Sequence, residues 1–161
     1  RIGQALAKLA IGAGMEVVFS DMHNDNIDVA LEFFDGQSLS FTCKNVGLEG
    51  VLAQSDFISL HVPGGDLIGA AEIAKMKDGV FLLNAARGGV INEEALLDAL
   101  ESGKVAGAGL DVFKNEPTPA VKVLMNGKVS LTPHIGAATG EAQDRIGTEL
   151  AAHIDSLAAS L

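Results

Sequence analysis

The sequence contains no tryptophan, no tyrosine and a single cysteine among its 161 residues. Because one thiol cannot form a disulfide within the chain, a disulfide framework is excluded, and we expect a reducing compartment such as the cytoplasm. The four histidines and Cys43 are not clustered at the spacings typical of zinc ligands. The composition therefore gives no reason to expect a metal site.

Basic residues are also few: 11 Lys and Arg face 21 Asp and Glu, and the formal net charge is −10 at pH 7. Such a charge disfavours binding to the phosphates of nucleic acids or anionic membranes, so we expect neither as a partner. No apolar run approaches the roughly 20 residues that a membrane-spanning helix needs. With 48% hydrophobic residues and 19 glycines, the chain has the composition of a globular domain with a sizeable core.

Short apolar runs alternate with amphipathic segments beyond Asp56. This alternation predicts parallel βαβ units with right-handed crossovers, and so an α/β fold with a Rossmann-type, doubly wound parallel sheet. The predicted strands are Phe57 to Val62, Val80 to Ala85, Val105 to Asp111 and Val129 to Leu131. The predicted helices are Ala70 to Met76, Asn92 to Glu101 and Glu141 to Leu157.

The pattern before Asp56 is weaker, although a helix is clearly predicted from near residue 1 to the glycines at 12 and 14. A buried strand is expected next, at Glu16 to Asp21. The remaining predictions are a helix at Ile27 to Phe34, a strand at Leu39 to Phe41 and a helix at Val46 to Ala53.

Three side chains able to do acid–base or ionic chemistry follow three successive predicted strands. Ligands of an open α/β sheet bind beyond the carboxyl ends of its strands, so these side chains are expected to converge on one crevice. Each also has a structural explanation, since an arginine can form a surface ion pair of little consequence. In chain order the three are Arg87, Glu116 and His134.

The start of the chain carries half of a dinucleotide-binding signature. Gly3 fits the last glycine of a GxGxxG turn, and Asp21 lies about 20 residues further on, where a carboxylate would accept hydrogen bonds from a ribose. That carboxylate would repel a 2′-phosphate, which favours NAD over NADP. A helix start followed by a turn aspartate is the alternative explanation. If the signature is real, the first strand of the sheet precedes residue 1, and residues 1–161 are a fragment of an NAD-binding domain.

Several longer segments are together highly specific. They are Ser55 to Pro63, Met76 to Gly79, Asn84 to Leu96, Gly107 to Phe113, Asn115 to Pro117 and Thr132 to Ala137. In these segments, and over almost its whole length, the chain resembles the NAD-binding domain of the D-isomer-specific 2-hydroxyacid dehydrogenases.

The resemblance implies a role for each of the three reactive side chains. Arg87 would hold the carboxylate of the substrate, and a guanidinium can grip a carboxylate through two parallel hydrogen bonds. His134 would be the general acid and base, because imidazole exchanges protons near neutral pH. Glu116 would orient His134 and stabilise its protonated form.

The family resemblance also implies which residues bind NAD. Arg1, Ile2 and Gly3 would contact the pyrophosphate, and Asp21 the ribose. The remaining positions would border the middle and nicotinamide parts of NAD; they are Val62, Pro63, Ala85, Ala86, Arg87, Asp111, His134, Ile135, Gly136 and Ala137. Asp111 could instead cap a turn, and His61 is expected to be a structural histidine.

The same resemblance implies a small 2-hydroxy acid or 2-keto acid as substrate and a homodimer as the assembly. The segment Gly136 to Gly147 is most similar to family members that act on D-3-phosphoglycerate in serine biosynthesis. Alternatives are a glyoxylate or hydroxypyruvate reductase, a D-lactate-type dehydrogenase, or an NAD-sensing regulatory or corepressor protein. Two departures matter: the loop after Pro63 is shorter than usual, and the lobe that completes the substrate site is expected to lie outside residues 1–161.

Overall fold

The structure of the chain is a computed structural model that describes residues 2–23 and 25–159. Over these residues the chain forms six helices and seven strands. The helices are α1 (Ile2–Gly12), α2 (Gly47–Gln54), α3 (Ala70–Lys75), α4 (Glu93–Ser102), α5 (Val121–Leu124) and α6 (Gly140–Ala158). The strands are β1 (Val18–Phe19), β2 (Asn26–Glu32), β3 (Ser38–Asn45), β4 (Phe57–Leu60), β5 (Val80–Asn84), β6 (Val105–Leu110) and β7 (Val129–Leu131).

The second half of the chain forms a four-stranded parallel sheet in the order β4-β5-β6-β7. Its register aligns the last residues of all four strands in one row. Because the strands are parallel, every segment that follows a strand leaves the sheet at the same edge. From one side of the sheet to the other, the row is Leu60, Asn84, Leu110 and Leu131.

One face of this sheet is buried in the main hydrophobic core under α3 and α4. Leu82 on β5 and Leu100 on α4 are fully buried there, and burying such a side chain contributes roughly 1.5–3 kcal/mol. On the opposite face Phe57 and Phe81 stack with ring centroids 5.1 Å apart and remain partly exposed. The helix-covered face thus supplies most of the buried apolar packing.

The ends of α4 are well defined by local sequence. The Asn92 side chain accepts a hydrogen bond from the backbone N–H of Ala95 at 3.0 Å, which caps the amino end of the helix. Gly103 ends the helix with a φ of 82°, a left-handed conformation that glycine adopts at little cost. This helix connects β5 to β6, so its fixed ends help to set the separation of the two strands.

The first half of the chain forms a smaller sheet in the order β1-β3-β2. The prediction of a helix at Ile27 to Phe34 is wrong: β2 and β3 form an antiparallel hairpin whose turn contains Gly36 with a φ of 83°. The physical reason is a period of two, since Ile27, Val29 and Leu31 face one side, with Val29 buried.

The predicted strand at Glu16 to Asp21 is shorter and less buried than expected. Only Val18 and Phe19 pair, in parallel with β3, and both are half-buried. The predicted helix at the start of the chain, the helix at Val46 to Ala53 and the strands and helices beyond Asp56 are confirmed within one or two residues. The short helix α5 was not predicted.

The mixed α/β architecture with a parallel sheet confirms the predicted fold class. Across residues 2–23 and 25–159, no helix is both long and apolar enough to cross a membrane.

Candidate active site

The three predicted reactive side chains lie in segments that leave the four-stranded sheet at its carboxyl edge. Arg87 follows β5, Glu116 follows β6 and His134 follows β7. Val62 and Pro63 follow β4 at the same edge. The topology therefore brings together segments that are separated by up to about 70 positions in the sequence.

Arg87 is presented by a tight turn that Asn84 organises. Asn84 ends β5 and is only 3% exposed. Its Oδ1 accepts a hydrogen bond from the N–H of Ala86 at 3.1 Å, and its Nδ2 donates to the carbonyl oxygen of Arg87 at 2.9 Å. The Arg87 guanidinium is exposed, and its Nη1 donates to the carbonyl oxygen of Ala86 at 2.7 Å.

The next residue, Gly88, packs directly against the segment that follows β6. A Cβ atom at this position would lie 1.8 Å from the carbonyl oxygen of Phe113, a distance that no side chain can occupy. The next residue of that segment, Lys114, donates its backbone N–H to Oε1 of Glu93 at 2.8 Å. The segment that carries Glu116 thus contacts both the Arg87 turn and the start of α4.

Glu116 and His134 are in direct contact. The Oε2 of Glu116 lies 2.6 Å from Nδ1 of His134, and its Oε1 accepts a hydrogen bond from the N–H of Phe113 at 2.8 Å. The hydrogen bond to His134, followed by the one from Phe113, lowers the pKa of Glu116 below its usual value. An ionised carboxylate only accepts hydrogen bonds, so Nδ1 of His134 carries the proton and Nε2 remains for exchange.

His134 occupies an unusual backbone conformation, with a φ of 55°. Residues other than glycine seldom adopt this left-handed region unless their surroundings hold them there. Its side chain is 47% exposed, against 33% for Glu116, so one side of the imidazole is open to solvent. The site can therefore hold a histidine in a fixed orientation and still admit a small molecule.

Asp111 holds the backbone around His134. This residue is 7% exposed, and its Oδ1 accepts from Thr132 Oγ1 at 2.6 Å and from the N–H of Ile135 at 2.9 Å. Its Oδ2 accepts from the N–H of Gly136 at 2.9 Å. Burial alone would raise the pKa of Asp111, but these hydrogen bonds together hold it below its usual value. The carboxylate therefore stays ionised and ties the segment after β7 to the end of β6.

The residues predicted to contact NAD fall into two places. One group lies at the carboxyl edge with the three reactive side chains, and its members are Val62, Pro63, Ala85, Ala86 and the run Ile135 to Ala137.

The other group of predicted NAD contacts lies at or near the first sheet. Ile2 and Gly3 begin α1, and a Cβ atom on Gly3 would lie 3.3 Å from the ring of His61, just after β4. Asp21 follows β1, is exposed, and accepts the N–H of His23 at 2.8 Å. Arg1 lies outside the described residues.

His61 has a hydrogen-bond partner on β4, and its structural role stays a prediction. Its Nε2 lies 3.0 Å from Oγ of Ser59, and burial lowers the pKa of the imidazole. It packs against the start of α1, so it fastens the helix to the parallel sheet.

Asn84 and Thr132 also belong to the site, although neither was predicted from the sequence. The signal for Asn84 was present, because a polar residue closes the apolar run that precedes Ala85, Ala86 and Arg87. Thr132 gave no such signal, since its bond to Asp111 joins two residues that follow different strands and lie 21 positions apart in the sequence.

A dinucleotide fits the kinds of group that the described residues offer. The first turn of α1 has backbone N–H groups without helical acceptors, which suit phosphate oxygens, and Asp21 offers a carboxylate for hydroxyl groups. Within residues 2–23 and 25–159, no three His, Cys, Asp or Glu side chains are grouped so that they could hold a metal ion. The edge therefore carries an imidazole held by a carboxylate and, in the segment after β5, an exposed guanidinium.

Comparison with known proteins gives a family match over most of the chain. The model of the NAD-binding domain of D-isomer-specific 2-hydroxyacid dehydrogenases matches residues 1–136. The chain is 46% identical over 156 residues to a hydroxypyruvate reductase of Thermotoga maritima, covering 92% of the chain and 47% of that protein. It is 39% identical over 155 residues to a D-3-phosphoglycerate dehydrogenase of Mycobacterium bovis, covering 94% of the chain and 28% of that protein.

A solved structure agrees with these relatives. The crystal structure of a glyoxylate reductase from Paecilomyes thermophila superposes with a TM-score of 0.76 at 40% identity, covering 91% of this chain and 43% of that one. The chain thus spans less than half the length of each of these three proteins.

Proposed function

The chain belongs to the family of D-isomer-specific 2-hydroxyacid dehydrogenases, as an NAD-binding domain, and from that premise we propose that the protein interconverts a D-2-hydroxy acid and its 2-keto acid with NAD. The observation that carries the proposal is the 2.6 Å contact between Glu116 and His134 at the edge that Arg87 shares. A fixed proton acceptor beside a guanidinium matches the needs of this reaction.

His134 is proposed to move the proton. In the oxidative direction, Nε2 takes the proton of the substrate hydroxyl as the C2–H bond breaks. NAD, when bound, supplies the acceptor for the hydride that leaves C2. Glu116 contacts Nδ1, so its negative charge lies beside the imidazolium that forms when Nε2 has taken the proton. In the reverse direction the imidazolium returns the proton to the keto oxygen.

Arg87 is proposed to bind the substrate carboxylate. Its guanidinium is exposed at the same edge, and its planar fork matches two carboxylate oxygens. Binding through the carboxylate would fix the orientation of C2 relative to His134, and orientation of this kind lowers the barrier of the chemical step.

NAD is proposed to lie across the carboxyl edges of both sheets. Ile2 and Gly3 at the start of α1, together with Arg1, would hold the pyrophosphate, and Asp21 would accept the ribose hydroxyls. The residues at the carboxyl edge of β4 to β7 would surround the rest. The Asp21 carboxylate would repel the 2′-phosphate of NADP, so this residue favours NAD over NADP.

We also propose that a parallel strand outside the described residues lies between β1 and β4. In the described residues each of these strands is at the edge of its sheet, and α1 leads from the vicinity of β4 into β1. One added strand would join the two sheets into a doubly wound sheet.

The family resemblance supports two further expectations. One is another lobe that completes the substrate site, and the other is a homodimer formed through this domain.

The substrate is proposed to be D-3-phosphoglycerate, which would place the protein in serine biosynthesis. Support comes from the segment Gly136 to Gly147 and from the 39% identity to the mycobacterial dehydrogenase. Hydroxypyruvate is a second candidate, favoured by the 46% identity to the Thermotoga maritima reductase. Rates with the two substrates would separate these candidates.

Replacing His134 with Gln tests the proposed mechanism. In the full-length protein, His134→Gln should lower kcat by about 10²- to 10⁴-fold, because the positioned acid–base group is lost. The affinity for NADH, measured by its fluorescence, should change little. His153→Gln is the matched control, since His153 is exposed on α6 away from the site. Turnover by His134→Gln at the rate of the control would refute the proposal.

A further inference from the structure

We infer that Asn84 is a positioning residue for Arg87: its buried carboxamide fixes the turn from which the guanidinium reaches the substrate carboxylate. The inference rests on the proposed function, because it takes that carboxylate to be the ligand of Arg87. It adds a residue that touches neither substrate nor NAD and acts only through the turn.

The two hydrogen bonds of the Asn84 side chain require a carboxamide. One partner is a donor, the N–H of Ala86 at 3.1 Å, and the other is an acceptor, the carbonyl oxygen of Arg87 at 2.9 Å. Among side chains of this size, only asparagine offers an acceptor and a donor at the same two positions. Aspartate has the same shape but would face the Arg87 carbonyl with a second oxygen.

The turn and the guanidinium are linked through Ala86. The N–H of Ala86 is held by Asn84, and its carbonyl oxygen accepts from Nη1 of Arg87 at 2.7 Å. A shift of the Ala86 backbone would therefore move both the main chain of Arg87 and the resting place of its side chain. Asn84 therefore acts on the guanidinium through the Ala86 backbone and does not contact the guanidinium itself.

Asn84 is itself held rigidly in the sheet. It pairs with Leu60 on one side and Leu110 on the other, and its carbonyl oxygen accepts the N–H of Asp111 at 2.9 Å. An exposed, rotatable arginine is thus anchored through one buried side chain on the central part of the sheet. This arrangement reduces the freedom of the turn before substrate binds.

Steady-state kinetics of Asn84→Ala in the full-length protein is the first part of the test. We expect kcat/KM for the D-2-hydroxy acid to fall about 10- to 100-fold, mainly through a higher KM, because a displaced binding group loses orientation. The affinity for NADH should fall less than kcat/KM does, because the turn at residues 85–87 supplies only part of the proposed NAD contacts. Asn126→Ala is the matched control: its Oδ1 also accepts an N–H two residues ahead, from Lys128 at 2.9 Å, but it precedes β7 at the opposite edge.

A double-mutant cycle with Arg87→Ala separates positioning from general damage. If Asn84 acts through Arg87, adding Asn84→Ala to Arg87→Ala should lower kcat/KM by less than about twofold further. If the two losses multiply, Asn84 does not act through Arg87 and the inference is wrong. Asn84→Asp repeats the cycle should Asn84→Ala not fold, since it keeps the volume and the bond to Ala86 but loses the donor to Arg87.

Hydrogen exchange distinguishes failure of the inference from failure of the proposed function. Wild-type protein that oxidises no D-2-hydroxy acid would refute the proposed function alone. Exchange of the amides of residues 85–89 then decides whether Asn84 holds the turn: it should be faster in Asn84→Ala than in wild type and unchanged in Asn126→Ala. Equal exchange in all three proteins would overturn the inference.

Discussion

The two edges of the four-stranded parallel sheet use polar side chains in different ways. At the carboxyl edge, Asn84 and Asp111 are buried, and each bonds to backbone groups of a following segment. At the amino edge, Lys104 pairs with Asp78, whose side chain is 89% exposed. Buried bonds to backbone fix the path of the chain, whereas an exposed pair of side chains adds little stability and fixes little.

This difference explains why the reactive side chains lie where they do. A sheet edge on which segments are fixed by short side chains can hold an imidazole in a strained backbone conformation, as at His134. At the amino edge Lys104 and Lys128 each donate to one carbonyl oxygen and Asn126 accepts one N–H, but none of these three side chains is buried. The same four strands therefore end in a rigid edge and begin at a solvated one.

Of the substitutions that compare the stability of the two edges, filling the close contact at Gly88 should have the largest effect. Gly88→Ala should lower the free energy of unfolding by about 3 kcal/mol, the upper part of the range for overpacking, because the new Cβ meets the Phe113 carbonyl. Gly127→Ala, at the amino edge with no atom within 4 Å of the added Cβ, should change it by less than about 0.5 kcal/mol. Urea unfolding of both variants provides the measurement. Equal losses would show that the edges do not differ in packing.

Asp111→Asn should produce the next largest effect, about 2 kcal/mol at neutral pH, since the amide cannot accept the N–H of Gly136 as the carboxylate does. The lowered pKa of Asp111 means that its ionised form stabilises the fold above the usual carboxyl pKa. That stabilisation is lost as the pH falls through the lowered pKa. The difference in free energy of unfolding between wild type and Asp111→Asn should therefore be constant from about pH 6 to 8 and should become smaller below about pH 4.

Thermal unfolding of Asp111→Asn across this pH range checks the prediction. The far-ultraviolet circular dichroism at pH 7 serves as the control for a folded variant. If the difference in stability between the two proteins stays the same down to the acid transition, the Asp111 carboxylate does not stabilise the fold through its ionised form.

The smallest effect is expected at the amino edge. The pKa of Asp78 is lowered by its hydrogen bond to Lys104, but the carboxylate is exposed. Asp78→Asn should therefore lower the melting temperature only slightly at low salt, and high salt should abolish the difference because it screens exposed charges. The effect of Asp111→Asn should persist in high salt. Loss of both effects in salt would remove the distinction between the edges.

Much of the fold beyond Asp56 was predictable because buried parallel strands are short apolar runs with polar ends. Strand β2 was mistaken for a helix because Phe33 and Phe34 extend the apolar pattern past the strand, whereas the strand predicted at Leu39 to Phe41 lies within β3. The turn at Asp35 and Gly36, where Gly36 has a positive φ, was the signal that should have ended it. The sequence of this region therefore fits two patterns, a helix that continues through Phe33 and Phe34 and a strand that ends at the turn.

The site was predictable only in part, for a different reason. The family resemblance pointed to Arg87, Glu116 and His134, and the structure places Glu116 against His134; the roles of these residues stay predictions. Thr132 bonds to Asp111, which lies 21 positions away, and single-sequence patterns do not record such a partner. The partners of Asn84 are local, but its burial at the end of β5 depends on the neighbouring strands. The residues that hold a site in place are therefore harder to find than those that react.

The most direct test of the account is the production of NADH by the full-length protein from NAD and a set of 2-hydroxy acids. The set should contain D-3-phosphoglycerate, D-glycerate and D-lactate, with L-lactate and L-glycerate as controls of configuration. We predict NADH from at least one D acid, none from the L acids, and a large loss in His134→Gln. Binding of NADH without turnover of any acid would contradict it and favour an NAD-sensing regulatory protein.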